Sequence, residues 1–215
     1  MTLGNMQDRI ADELARTDLA SQILLEIQSA VNHYAGERWW FAEVHSQTLT
    51  LTSSVEEYAL PADMAGLDDM QLYYSSDFLE LDRRDYKTIR EWQSGNTYGP
   101  PTDYAIYADS VVVFPIPLES LNLMLSYHQE LASLSATTDT NVWMTYGEEL
   151  IRARARAAVQ INYLRDEGAT AEYMAMGQLD PSGGFLSRRE MAAYRSLKKR
   201  SGKRISQGFL SPSDW

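Results

Sequence analysis

Cysteine is absent from this chain of 215 residues, so it contains no disulfide framework, no thiolate zinc site and no cysteine nucleophile. No uninterrupted apolar stretch approaches the roughly 18 residues that a membrane-spanning helix needs. The N-terminal eight residues also lack the basic-then-apolar order of a signal peptide, so a soluble, non-exported protein is expected. Histidine is scarce, and His33, His45 and His128 show neither the i, i+4 zinc spacing nor neighbouring ligands. There is no Gly-x-Ser-x-Gly elbow, no phosphate-binding loop ending in Lys-Ser or Lys-Thr, and no strand-linked Gly-x-Gly-x-x-Gly. These absences exclude the enzyme classes that announce themselves by motif. No cofactor is expected, and an enzyme with dispersed catalytic carboxylates remains as the alternative.

What is present begins with charge. The formal net charge is −11, unevenly spread: residues 1–187 hold 11 Lys/Arg against 28 Asp/Glu. Residues 188–204 hold Arg188, Arg189, Arg195, Lys198, Lys199, Arg200, Lys203 and Arg204 against the single acid Glu190. An acidic body disfavours wrapping of nucleic acid, because phosphate binding draws on cationic contacts. The basic segment reads as a docking arm that takes its charge to an acidic partner. Ile205, Phe209, Leu210 and Trp215 would then serve as apolar anchors.

Periodicity supplies the elements. Ile10 and Leu14, with Met6 beneath, predict a short helix over 5–14; Leu19, Ile23, Ile27, Val31 and Tyr34 predict a second, started by Thr17 or Asp18 and stopped at Gly36. Trp39-Trp40-Phe41 sets three large rings in a row, expected to pack in a core at a junction between helical and β layers. Strands are predicted over 47–52 and 58–60, and a hairpin over 70–81 turning at Ser75-Ser76-Asp77. Asp82 is expected to cap a helix running to Trp92. Pro100-Pro101 and Pro115-Ile116-Pro117 bracket a second hairpin, in which Tyr104 and Ile106 face Val111 and Val113 across a turn at Ala108-Asp109-Ser110. Leu121, Leu123, Leu125 and Tyr127 alternate as a half-buried strand. After a polar loop over 133–141, one long helix is predicted from Tyr146 to Leu164 with Gly168 as its stop, and further helical turns over 169–176. Residues 180–184 read as a linker, and 187–199 as a basic helix whose Ser187 and Glu190 form a capping box.

Neighbouring carboxylates at Glu56-Glu57, Asp68-Asp69 and Glu148-Glu149 are acid/base candidates, but adjacency normally sends the two groups to different faces. Glu148 and Glu149 suit a helix N-terminus instead.

The ordered set of parts resembles the head-to-tail adaptor proteins of tailed bacteriophages, over residues 18–178. The resemblance rests on Trp39-Trp40 after the second helix, Tyr58-Ala59-Leu60-Pro61, the run from Asp68-Asp69-Met70 to Tyr73-Tyr74, and Asp85-Tyr86-Lys87-Thr88-Ile89. It continues through Gly99-Pro100-Pro101-Thr102 with Tyr104-Ala105-Ile106-Tyr107, Thr138-Asp139-Thr140, and an alanine-rich helix over 148–164. It implies an α+β fold in which N-terminal helices and a long C-terminal helix (1–38 and 142–178) form a bundle. A central antiparallel β-rich insertion (39–141) and a linker, basic helix and extended C-terminal arm (179–215) complete it. It further implies a non-enzymatic virion protein, made in the host cytoplasm. Such a protein forms a ring, of twelve copies in this family, between the portal protein and a tail nozzle or tube, with genomic DNA passing through unbound and no membrane involved. On that reading the arm from Arg188 onward docks on the portal, and Tyr104, Tyr107 and Asp109 face the tail or a neighbouring subunit. The rivals are another tail-assembly protein and a small glycosidase-like hydrolase.

Overall fold

The computed structural model describes residues 1–179 and 184–200. The fold is α+β, and the described residues form two compact units: 1–41 together with those of 131–200, and 42–130.

The helical unit opens with α1 (Leu3–Leu14), capped by Thr2, whose hydroxyl accepts from the Asn5 N–H at 3.2 Å. Its next free donors are met by the loop over 131–141: Leu3 N–H donates to the Asp139 carbonyl at 2.9 Å and Gly4 N–H to the Thr137 carbonyl at 2.8 Å. A Cβ on Gly4 would stand 3.0 Å from that same Thr137 oxygen, so glycine permits the close approach. Leu3, Met6 and Ile10 face inward from α1, and Ile23, Ile27, Ala30, Val31 and Tyr34 from α2 (Ala20–Ala35).

The long helix predicted over 146–164 forms over 148–162, and a short helix that the periodicity does not predict precedes it. α4 (Val142–Tyr146) is capped by the Asn141 side chain, which accepts from Trp143 N–H at 2.9 Å, and α5 (Glu148–Asn162) starts afresh after Gly147. A Cβ at Gly147 would lie 2.5 Å from the buried Trp143 ring, which explains the break. α5 is the hub, packing against α1, α2, α4 and two later helices, α6 (Glu167–Leu179) and α7 (Arg188–Arg200). Its alanines, Ala153, Ala155, Ala157 and Ala158, are all buried and let these neighbours come close. α5 ends at Asn162; Gly168, expected to stop it, lies in the first turn of α6.

The β-unit is two four-stranded sheets. In the first, β1 (Glu43–Leu51), β8 (Leu121–Gln129), β3 (Met64–Tyr74) and β4 (Asp77–Glu80) lie side by side, all antiparallel. In the second the order is β2 (Glu57–Ala59), β7 (Ser110–Phe114), β6 (Asp103–Tyr107) and β5 (Asp82–Arg83), with β5 parallel to β6. One apolar core joins their inner faces, with Leu51, Met70, Leu72, Leu123 and Leu125 from one sheet and Tyr58, Tyr104, Val111 and Val113 from the other. α3 (Tyr86–Gln93) covers the opposite face of the second sheet, burying Ile89 against Ala105 and Val112. β7 is thus covered on both faces, which accounts for its unbroken Val111-Val112-Val113 run.

Both predicted hairpins form, each on a two-residue turn with both central residues at positive φ: Ser75 and Ser76 (51° and 67°), Ala108 and Asp109 (46° and 58°). That geometry matches the twist of the flanking strands. Asp82 does not start the helix; it pairs in β5, and Asp85 precedes α3.

Candidate interaction surfaces

Two surfaces carry the residues singled out by sequence, α7 and the β6–β7 hairpin. α7 begins as expected, with Glu190 N–H donating to the Ser187 hydroxyl at 3.2 Å. The other half of the capping box is absent. The Glu190 carboxylate turns into the bundle, fully buried, where it accepts from the Tyr34 hydroxyl at 2.5 Å, Arg154 Nη1 at 2.7 Å and Leu186 N–H at 2.5 Å. Burial, then the neighbouring Glu190 charge, pushes the Tyr34 phenol far above its usual range. A buried carboxylate is tolerated here because a guanidinium supplies the counter-charge and both of its oxygens accept hydrogen bonds.

Rings surround this centre. Trp39 lies 5.4 Å from Trp143, 5.7 Å from Phe41 and 5.7 Å from Tyr194, with Tyr34 6.0 Å away, and its indole N–H donates to the Tyr34 carbonyl at 2.8 Å. Trp40 packs on Tyr146 at 4.8 Å. The three consecutive rings are therefore part of the helical unit's own core. Tyr194 donates to Glu37 at 2.7 Å, and burial first, then Glu37, raises its phenol pKa.

The expected basic helix is seated on the bundle, which narrows the cations open to a partner. Arg188, Arg189, Arg195, Lys198, Lys199 and Arg200 sit on a helix seated on the bundle, because Ala193 and Leu197 supply an inward face and Glu190 a buried tie. Lys198 is taken up: its Nζ lies 4.0 Å over the Trp39 ring, 3.0 Å from Glu37 and 2.9 Å from the Arg38 carbonyl. Arg189 reaches Glu13 at 3.4 Å. Arg188, Arg195, Lys199 and Arg200 are exposed and present a basic stripe. Lys203, Arg204, Ile205, Phe209, Leu210 and Trp215, like most of the 180–184 linker, lie outside the described residues.

On the hairpin, Tyr104 is corrected from a partner-facing residue to a core residue, because alternation along β6 turns it inward. Burial raises its phenol pKa. Tyr107 is 59% exposed and stacks on Tyr86 at 4.4 Å, and Asp109 is exposed at the turn. These two alone of the three stand available to a partner.

Three of the six acid/base candidates are held in ion pairs. Arg90 holds both Glu56 (2.6 Å) and Glu57 (2.7 Å), while Glu148 is held by Arg9 (2.8 Å) and Arg152 (3.2 Å). Among the described residues no His/Asp/Glu cluster of three has metal-site geometry, and no helix is long and apolar enough to cross a membrane.

Sequence reasoning missed Tyr34, Arg154 and Glu13, whose roles depend on partners 36 to 176 residues away. On α5, Arg152 and Arg156 share a face and meet Glu13 while Arg154 turns to Glu190, and nothing local tells which acid each meets.

No curated protein matches the chain. Residues 1–200, which span the helical unit, the β-unit and α7, match the SU10 adaptor protein family. The seated basic helix, the ring-lined bundle and the β-insertion all fall inside that match, and the chain accordingly belongs to the SU10 adaptor protein family, the structural adaptors of phage virions.

Proposed function

We propose that the protein assembles as a ring beneath the portal at the capsid vertex, seals the filled head and offers the platform on which the tail is built. The observation that carries this reading is the family match across both units and α7. A ring of twelve copies would surround a channel through which DNA leaves during genome ejection. The charge of the β-unit suits such a wall: residues 42–130 hold fifteen Asp/Glu against four Lys/Arg, and a negative lining lets DNA slide where a basic one would retain it. The exposed cations of α7, with the chain beyond residue 200, would engage the portal protein, and Tyr107 and Asp109 the tail or the next copy. Weak single contacts repeated around a ring give high avidity.

The test is the molar mass of the full chain alone and mixed with portal protein, before and after removal of residues 202–215. A complex of portal with many copies, weakened by the truncation, is expected. A chain that ignores portal and behaves identically without its last residues overturns the proposal.

A further inference from the structure

Four guanidiniums meet two carboxylates where α1, α5 and α7 converge. Glu13 on α1 receives Arg152 in close contact, Arg156 at 3.4 Å and Arg189 at 3.4 Å. Glu148 receives Arg9 at 2.8 Å and Arg152 at 3.2 Å. The cluster thus carries two more cations than anions. Glu148, Arg152 and Arg156 stand four residues apart and share one face of α5. The Arg152 side chain is only 7% exposed, while those of Arg156 and Arg189 remain 33% and 38% exposed. The buried Nε of Arg156 has no hydrogen-bond partner. Like charges crowded in a partly desolvated place repel, and one shared carboxylate cannot satisfy three guanidinium forks. A further carboxylate, bound bidentately, relieves both problems.

The chain itself carries the complementary surface. The strands of the first sheet hold Glu43, Asp68, Asp69, Asp77 and Glu80 and no Lys or Arg at all; the four cations of the β-unit all fall within residues 83–90. Asp69 and Glu80 are exposed. We propose that the Arg152, Arg156 and Arg189 cluster is a receptor for carboxylates of the first sheet of a second copy, joining copies head to tail. A heterologous contact whose rotation closes gives a ring, so the inference rests on the ring reading and gives it a specific interface. A protein carboxylate fits better than a DNA phosphate. The chain as a whole is strongly acidic, which repels a DNA polyanion along its length, whereas a carboxylate on a second copy makes only a local contact.

Sedimentation velocity of the full chain at low ionic strength, alone and on portal, reads this directly. Arg156→Glu with Arg189→Glu weakens self-association by about tenfold or more, and Asp69→Lys with Glu80→Lys does the same. An equimolar mixture of the two double variants restores it, because each copy then meets its complement. The milder Arg156→Gln with Arg189→Gln pair, checked for native circular dichroism, shifts association in the same direction. Unchanged association of the arginine variants overturns the receptor, as does failure of the mixture to recover. Loss of binding to a short DNA duplex, with association intact, reassigns the cluster to phosphate. If the wild-type chain forms no ring either alone or on portal, the ring reading fails; a ring indifferent to these variants removes only the receptor.

Discussion

The helical unit and the β-unit are held together by different means. In the β-unit, residues 42–130, stability comes from one apolar core between two sheets and a second beneath α3, and its many acids stay outside. The helical unit buries charge: Glu190 and Arg152, with the half-buried Arg154, bind segments far apart in sequence, wrapped around a cluster of rings. The charge ledger differs as sharply. The β-unit accounts for the whole net charge, because residues 1–41 and 131–215 hold fifteen Asp/Glu and fifteen Lys/Arg. An apolar sandwich leaves its surface free to be mostly acidic, whereas a bundle closed by ion pairs carries cations and anions in equal number overall.

The largest effect should come from the buried tie. Glu190→Gln leaves Arg154 without its counter-charge and is expected to cost about 3 kcal/mol or more in denaturant unfolding. Hydrogen exchange should rise in α5 and α7 but not in β7; an equal rise in β7 would break the comparison. Next is Gly147→Ala, whose methyl group meets the Trp143 ring and is expected to cost about 1–3 kcal/mol, again read as faster exchange in α4 and α5 alone. In the β-unit the turn at Ala108-Asp109 offers a smaller change of opposite sign. Asp109→Gly removes side-chain strain at φ 58° and should stabilise by about 0.5 kcal/mol, measured as a raised unfolding midpoint.

The smallest effect is acid loosening of the loop over 131–141. Backbone N–H groups of Ser135 and then Ala136 hold the Asp139 carboxyl below its usual range. A depressed folded-state pKa contributes stability that is present above the unfolded value near 3.8 and is lost as pH falls through the folded value. Exchange of the Leu3 and Gly4 amides should therefore accelerate below about pH 4, and Asp139→Asn should flatten that response.

Much of this fold was legible because periodicity is local. The α1 and α2 stripes, the two hairpins and the alternation of β8 needed only their own side chains. The break at Gly147 was not legible, since it depends on where Trp143 lies, and a helical pattern runs straight through it. Asp82 and Asp85 are equally plausible caps, and pairing with β6 decides that Asp82 is strand. Along α7, six cations beside one acid read as partner-binding. The acid proved to be the buried element, and Lys198 half of an aromatic contact, because both meet residues from the other end of the chain. The outward or inward sense of Tyr104 was fixed only by which face of β6 the first sheet covers.

The most direct measurement is electron microscopy of the chain bound to portal protein. The account predicts a closed ring of copies coaxial with the portal, α7 on the portal side and the acidic β-units arranged around an open channel. Copies scattered on the portal without a ring, or no bound copies at all, would contradict it.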